Sequence, residues 1–229
     1  AGLGVSVRIS YRADIFAPSF IAAMAGHLEN ALNSLGDPES TLQKVDILTP
    51  EQQHQLLITF NDTAIPYPRS ATMISLFEEQ VSRSPGQPAV ICGDNQLTYA
   101  QLNEQANRVA AYLRETCGVG PGDVVGLLLA RSELAIVAML GVLKSGACYL
   151  PVDVNAPGQR NGYIMGDAGV SVLITTSDLV LNMPGEFGGA LFAIDVQLPA
   201  MTPQHENPAI ANTPSDTGYI IYTSGSTGM

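Results

Sequence analysis

Positive charge is scarce in this sequence. Its 229 residues carry 10 Lys and Arg against 21 Asp and Glu, a formal net charge of −11. A chain this acidic repels phosphate backbones and anionic bilayers alike, so neither nucleic acid nor a membrane is expected as a partner. Long apolar runs are missing too. The most membrane-like stretch, Leu134 to Leu143, is about half of the roughly 20 residues a spanning helix needs, and it reads as a core helix. The cysteines are few, Cys92, Cys117 and Cys148, with neither a pairing pattern nor metal-ligand spacing. They are expected to be ordinary buried thiols of a reducing cytoplasm, with no disulfide and no metal site. His27, His54 and His205 lack a neighbouring ligand at metal or catalytic spacing, and no internal repeat is present. The chain opens Ala-Gly-Leu-Gly-Val without a Met or a basic-plus-apolar leader, so no export signal reads from this end and an excerpt of a longer protein is expected.

What is present is enough for a real core, since 46% of the residues are hydrophobic and the length suits one or two domains. The first part alternates Val5, Val7, Ile9 and Tyr11 against Ser6, Arg8 and Ser10, the pattern of a half-buried strand. Phe20, Met24, Leu28 and Leu32 then recur at helical spacing, with Gly36-Asp37-Pro38 as the stop. This stripe needs a partner to cover it. Thr49-Pro50-Glu51-Gln52 announces a second helix, with a capping threonine and a proline in the first turn, running to about Phe60. Between Asn61 and Ser70 two prolines break all periodicity, which places a linker over residues 61–70.

Beyond the linker, helices and strands alternate as in a layered α/β domain. Thr98 and Gln101 cap a helix from Tyr99 to Glu115 whose stripe is Leu102, Ala106, Val109, Ala110 and Leu113. Val124 to Ala130 reads as a buried strand, Ser132 to Gly146 as a capped helix, and Ala147 to Val152 as a second strand, a βαβ crossover that implies a parallel sheet. A weaker helix over Arg160 to Asp167, strands at Val170 to Ile174 and Leu191 to Ile194, and a polar surface loop from Pro199 to Pro214 follow. The last strand is expected at Tyr219 to Thr223.

That strand feeds the run of greatest chemical interest, Thr223-Ser224-Gly225-Ser226-Thr227-Gly228. Glycines let a backbone approach an anion without a Cβ in the way, and hydroxyls add donors to the exposed N–H groups, so the run has the composition of a polyphosphate cradle. It is not the P-loop, which ends in Gly-Lys-Ser/Thr, nor the Gly-x-Ser-x-Gly elbow of a nucleophilic serine. Asp153 and Asp195 sit at strand ends and read as turn residues.

Tyr222 to Gly228 resembles the phosphate-loop signature of adenylate-forming enzymes, the superfamily of peptide synthetase adenylation domains, acyl-CoA synthetases and luciferases. Leu97-Thr98-Tyr99-Ala100-Gln101-Leu102-Asn103 and Leu143 to Asp153 resemble two earlier motifs of nonribosomal peptide synthetase adenylation domains, in the right order. Leu48-Thr49-Pro50-Glu51, Asn61-Asp62-Thr63 and Tyr67-Pro68 resemble the approach and linker that follow a condensation domain. The resemblance thus covers the whole chain. It implies residues 1–60 as a condensation-domain remnant of α+β character, 61–70 as linker and 71–229 as the N-terminal portion of an adenylation domain, with layered helices on a largely parallel sheet.

It further implies that the parent protein activates an amino acid with ATP and Mg²⁺ to aminoacyl-AMP. The aminoacyl group then loads onto the phosphopantetheine thiol of a partner carrier domain, in the cytoplasm, within an assembly line that also holds condensation domains. Thr223, Ser224, Gly225, Ser226, Thr227 and Gly228 would hold the ATP phosphates. The resemblance carries no catalytic residue into this chain: the Pro-Lys-Gly continuation, the adenine, ribose and amino acid contacts and the catalytic lysine come later in the family, so the chain by itself is expected to be inactive. Thr217-Gly218, Gln159, Asn161 and Gly166 depart from the family pattern. Two other readings stand beside this one, an acyl- or aryl-CoA ligase of the same superfamily and a non-catalytic interdomain docking platform.

Overall fold

The computed structural model describes residues 6–36, 41, 43, 45–181, 187–209 and 212–223. The chain divides into two units, Ala1–Tyr67 and Pro68–Met229.

In the first unit, α1 (Pro18–Leu35) opens with proline at its start and ends at Gly36, whose N–H reaches the carbonyls of Leu32 and Asn33. The second helix, α2 (Pro50–Leu57), has the expected reciprocal cap: Gln52 N–H donates to Thr49 Oγ1 at 3.3 Å, and Gln52 Oε1 accepts from Thr49 N–H at 3.0 Å. Gln52 Oε1 also lies 2.8 Å from His27 Nε2, and Asn30 donates to the Leu48 carbonyl at 2.9 Å, so polar side chains join α1 to the approach of α2. The helix ends earlier than its sequence suggests. Asn61 turns its amide back onto the carbonyls of Leu56 and Leu57, closing a 3₁₀ turn over Thr59–Asn61. The strand expected over Val5 to Tyr11 does not form in residues 6–11, which belong to no ladder. Alternation supplies two faces, but a strand is made by pairing, and the described residues of this unit contain no second strand. The α1 stripe stays uncovered within the unit, with Phe20 and Met24 53% and 47% exposed.

In the second unit a four-stranded sheet runs β4-β3-β5-β6, with every neighbouring pair parallel. The strands are β3 (Val124–Leu128), β4 (Cys148–Pro151), β5 (Val172–Thr175) and β6 (Ala190–Ala193). Between them run α5 (Glu133–Ser145), α6 (Gly158–Asp167) and α7 (Ser177–Leu181), and α8 (Ile194–Ala200) follows β6. This is the expected α/β class. Period-two alternation divides the side chains between two cores. Val125, Leu127, Val172, Ile174 and Phe192 pack with α4 (Tyr99–Glu115), α5 and α8. Leu128, Leu150 and Leu173 pack on the other side with Ile164 and Met165 of α6. Helices α4 and α5 approach closely because position 141 is glycine, where a Cβ would meet Val109 at 2.5 Å. The capping residues work as expected, Thr98 accepting from Gln101 N–H at 3.3 Å and Ser132 from Ala135 N–H at 3.4 Å.

Four features extend or correct the sequence reading. Helix α3 (Met73–Arg83) is capped by Thr72 and Ser75, and the antiparallel hairpin of β1 (Pro88–Cys92) and β2 (Asn95–Thr98) precedes α4. Of the three thiols only Cys148 is buried; Cys92 and Cys117 are half-buried, and all three are free. Tyr219 to Thr223 is not a fifth strand but a stem with one parallel bridge, Tyr149 to Tyr219, at the edge of β4. Alternation is present, with Tyr219 and Ile221 53% and 61% exposed and Ile220 and Tyr222 packed on the second core, but the pairing stops after the bonds to Tyr149 and no ladder forms.

Candidate functional site

All the sheet strands point the same way and the stem bridges β4 in parallel, so the stem delivers Thr223 to the carboxyl edge of the sheet, where open α/β folds place ligands. Backbone bonds hold its base: Tyr149 N–H donates to the Gly218 carbonyl at 3.2 Å and Ile220 N–H to the Tyr149 carbonyl at 3.0 Å. The rings of Tyr149 and Tyr219 stack above this bridge with centroids 5.7 Å apart. One residue before Thr223, the Tyr222 hydroxyl donates to the Asp167 carboxylate. Losing its proton beside that carboxylate is unfavourable, and the Tyr222 pKa is pushed up to about 12.

A cleft of about 440 Å³ opens beside Thr223, between the stem and α6, and is lined by Pro157, Gln159, Arg160, Tyr163, Ile164, Tyr222 and Thr223. Its α6 wall is fixed by the turn after β4. Asn161, which reads from sequence as a weak helix former, is buried and donates to the Asp153 carbonyl at 2.9 Å, while Asp153 Oδ1 accepts from Asn155 N–H at 2.9 Å. Asp153 is therefore the turn residue expected of it. Asp195 likewise accepts from Ser177 N–H at 2.9 Å and Ser177 Oγ at 2.5 Å, and these bonds hold its carboxyl below its usual pKa. Of the run expected to hold phosphates, Thr223 lines the cleft; Ser224, Gly225, Ser226, Thr227 and Gly228 lie outside the described residues.

The polar loop from Pro199 to Pro214 proves to be anchored rather than simply spread over the surface. It begins inside α8, and Asn207 Oδ1 then accepts from Asn103 Nδ2 at 2.8 Å, Asn107 Nδ2 at 3.2 Å and Lys144 Nζ at 3.2 Å. Asn212 donates to the Gly146 carbonyl at 3.1 Å, one turn before the stem begins. The Lys144 side chain is fully buried and paired with Glu78 of α3. Burial pulls its pKa down, opposed by the bond to Glu78. Sequence reading passed over this cluster because Lys144 and Glu78 are 66 positions apart.

The sequence pattern of the family described as AMP-binding enzyme matches residues 77–229. The chain belongs to the AMP-binding enzyme family. Tyrocidine synthase 3 of Brevibacillus parabrevis is 38% identical over 223 residues, 97% of this chain and 3% of that protein. Gramicidin S synthase 2 of Brevibacillus brevis is 38% identical over 221 residues, 96% of this chain and 5% of that protein. The chain thus spans only a few per cent of the length of these curated relatives. Among solved structures, the nonribosomal peptide synthetase FmoA3 superposes with a TM-score of 0.72 at 27% identity, covering 93% of this chain and 23% of that one. The N-terminal subdomain of Klebsiella oxytoca NpsA, solved with 3-hydroxybenzoyl-AMSN, gives 0.63 at 30% identity over 72% of this chain and 41% of its own. The second unit therefore has the fold of the N-terminal part of an AMP-binding enzyme.

Proposed function

We propose that this chain is a segment of a nonribosomal peptide synthetase: the end of a condensation domain over residues 1–60, a linker over 61–70, and the N-terminal portion of an adenylation domain over 71–229. The synthetases similar to it run along nearly its whole length. The division after Tyr67 falls within the proposed linker, and the uncovered α1 stripe is what a piece of a larger domain leaves behind. The observation that carries the reading is the stem, which brings Tyr222-Thr223 to the carboxyl edge of a parallel sheet at the start of a glycine and hydroxyl run.

In the parent protein a carboxylate oxygen of the amino acid attacks the α-phosphorus of ATP, forming aminoacyl-AMP and releasing pyrophosphate. Charge builds on the departing β- and γ-phosphates, and donors fixed in advance stabilise it without reorganising. Thr223, Ser224, Ser226 and Thr227 supply hydroxyls for this, while Gly225 and Gly228 let backbone N–H groups come close. Mg²⁺ bound with the nucleotide would share the charge of the phosphates. The aminoacyl group then moves to the phosphopantetheine thiol of a carrier domain. No helix among the described residues is long and apolar enough to cross a membrane, which accords with a cytoplasmic assembly line.

The test is ATP–pyrophosphate exchange by the parent protein, extended through the rest of the adenylation region, over a panel of amino acids and aryl acids. Exchange dependent on one or a few amino acids is expected. Exchange with aryl or fatty acids alone moves the assignment to an acid–CoA ligase, and silence throughout leaves a docking platform.

A further inference from the structure

We propose that Tyr222 and Asp167 form a latch that positions Thr223, the first residue of the phosphate-binding run, for the nucleotide. This rests on the adenylation reading above and adds two positioning residues to it, neither of which touches the reacting atoms.

The stem has two kinds of attachment. Its base is held by main-chain bonds to Tyr149, the second of them from Ile220 N–H, and residues 221–223 belong to no ladder. At this point the side chain of Tyr222 takes over. Its ring packs with Ile220 on the core of Leu128, Leu150, Val152 and Leu173, and its hydroxyl reaches Asp167 at the end of α6. The ring fixes the depth of the stem and the hydroxyl its lateral position.

The anchor is itself fixed. Helix α6 is tied to the end of β4 by Asn161 at its start and packs on the same core through Ile164 and Met165. The latch therefore joins the stem to the wall of the 440 Å³ cleft whose other side is Thr223. Removing only the hydroxyl loosens the tie between the stem and α6 without unmaking the core, since the Tyr222 ring keeps its packing. A small misplacement of donors that meet a developing charge is costly in binding and rate, whereas the same displacement barely affects a fold held by two separate cores.

The test uses the parent protein extended through the adenylation region, with Tyr222→Phe, Asp167→Leu, Asp167→Asn and the Tyr222→Phe/Asp167→Leu double variant. Two readouts are taken: the Kd for MgATP by titration calorimetry without amino acid, and the separate KM values for MgATP and amino acid in exchange. Tyr222→Phe and Asp167→Leu are expected to weaken MgATP about tenfold in Kd and KM, as loss of a preorganised position for Thr223 predicts, while the amino acid KM stays within about twofold. Asp167→Asn keeps an acceptor oxygen and is expected to restore MgATP binding to within about threefold, and the double variant to be no worse than either single one. Equal rises in both KM values, an unchanged Kd in every variant, additive losses in the double variant, or failure of Asp167→Asn to restore binding would each overturn the latch. A wild-type protein that binds MgATP but shows no amino-acid-dependent exchange sinks the amino acid assignment, and the latch is then judged on Kd alone. A wild-type protein with no MgATP binding overturns both.

Discussion

Lys144 at the end of α5 and Glu78 on α3 form an ion pair in which the lysine side chain is fully buried and the glutamate side chain only 15% exposed. The ammonium also donates to Asn207 and lies 5.9 Å from the centre of the Phe77 ring, so its charge is met from three directions.

A buried charge that loses its partner is far more costly than a pair that is replaced outright. Glu78→Leu is expected to lower unfolding free energy by about 3 kcal/mol, because it strands the lysine, whereas Glu78→Leu/Lys144→Met should recover most of that loss. Urea unfolding of the four proteins of this cycle measures it. A double variant as unstable as the single one would show that the pair holds the fold in some other way.

Titration of Tyr222 gives a second prediction, with a definite sign. Its pKa is raised from the ordinary value of 10.0 to about 12 by the bond to Asp167, with Tyr163 as a further nearby phenol. A pKa raised on folding stabilises the folded state fully below the unfolded value, and that contribution is lost as pH climbs from about 10 to 12. Phenolate absorbance should therefore show a late-titrating tyrosine near pH 12 that is absent in Tyr222→Phe. The unfolding midpoint of the variant should fall less steeply above pH 10 than that of the wild type.

Gly141 makes a third. A Cβ there would lie 2.5 Å from Val109 and 3.2 Å from the Ala106 carbonyl, and α4 cannot yield without disturbing the core on that side of the sheet. Gly141→Ala is expected to destabilise by about 1–3 kcal/mol despite alanine's better helix propensity, measured by thermal or urea unfolding. Pairing it with Val109→Ala should return part of the loss. A stabilised Gly141→Ala would mean the helices separate freely.

Elements with a strong local signal were legible from sequence. Thr49, Thr98 and Ser132 start helices where their capping chemistry says, and the unbroken apolar runs at β3 and β5 become parallel strands. The hairpin of β1 and β2 has a readable signal in its two-residue Gly93-Asp94 turn, with Gly93 at φ 59°. Helix α3 was harder, since serine rather than Glu or Gln completes its cap. Pairing and tertiary anchoring were not legible. Nothing local tells that Val7 and Ile9 find no ladder, that Asn161 is chosen for the Asp153 carbonyl rather than for helix strength, or that Asn207 gathers donors from α4 and α5. Of the candidate site, composition gave the run, and the structure adds only that its first residue, Thr223, lies at the carboxyl edge beside α6.

The strand order sets a timetable for assembly as well as an address for the site. Strand β3 lies between β4 and β5, yet β3, α5 and β4 close on one another within residues 124–151, while β5 must return past the finished pair to reach the far side of β3. Contacts close in sequence form with the smallest loss of chain entropy, so the β3–β4 ladder is expected to be the seed and β6 the last addition during synthesis. The stem can find its bridge to Tyr149 only after that seed exists, which makes the cleft beside α6 a late product of a sheet begun at its β4 side. Pulse-labelled amide exchange during refolding should accordingly protect Val125 and Tyr149 before Val172 and Ala190.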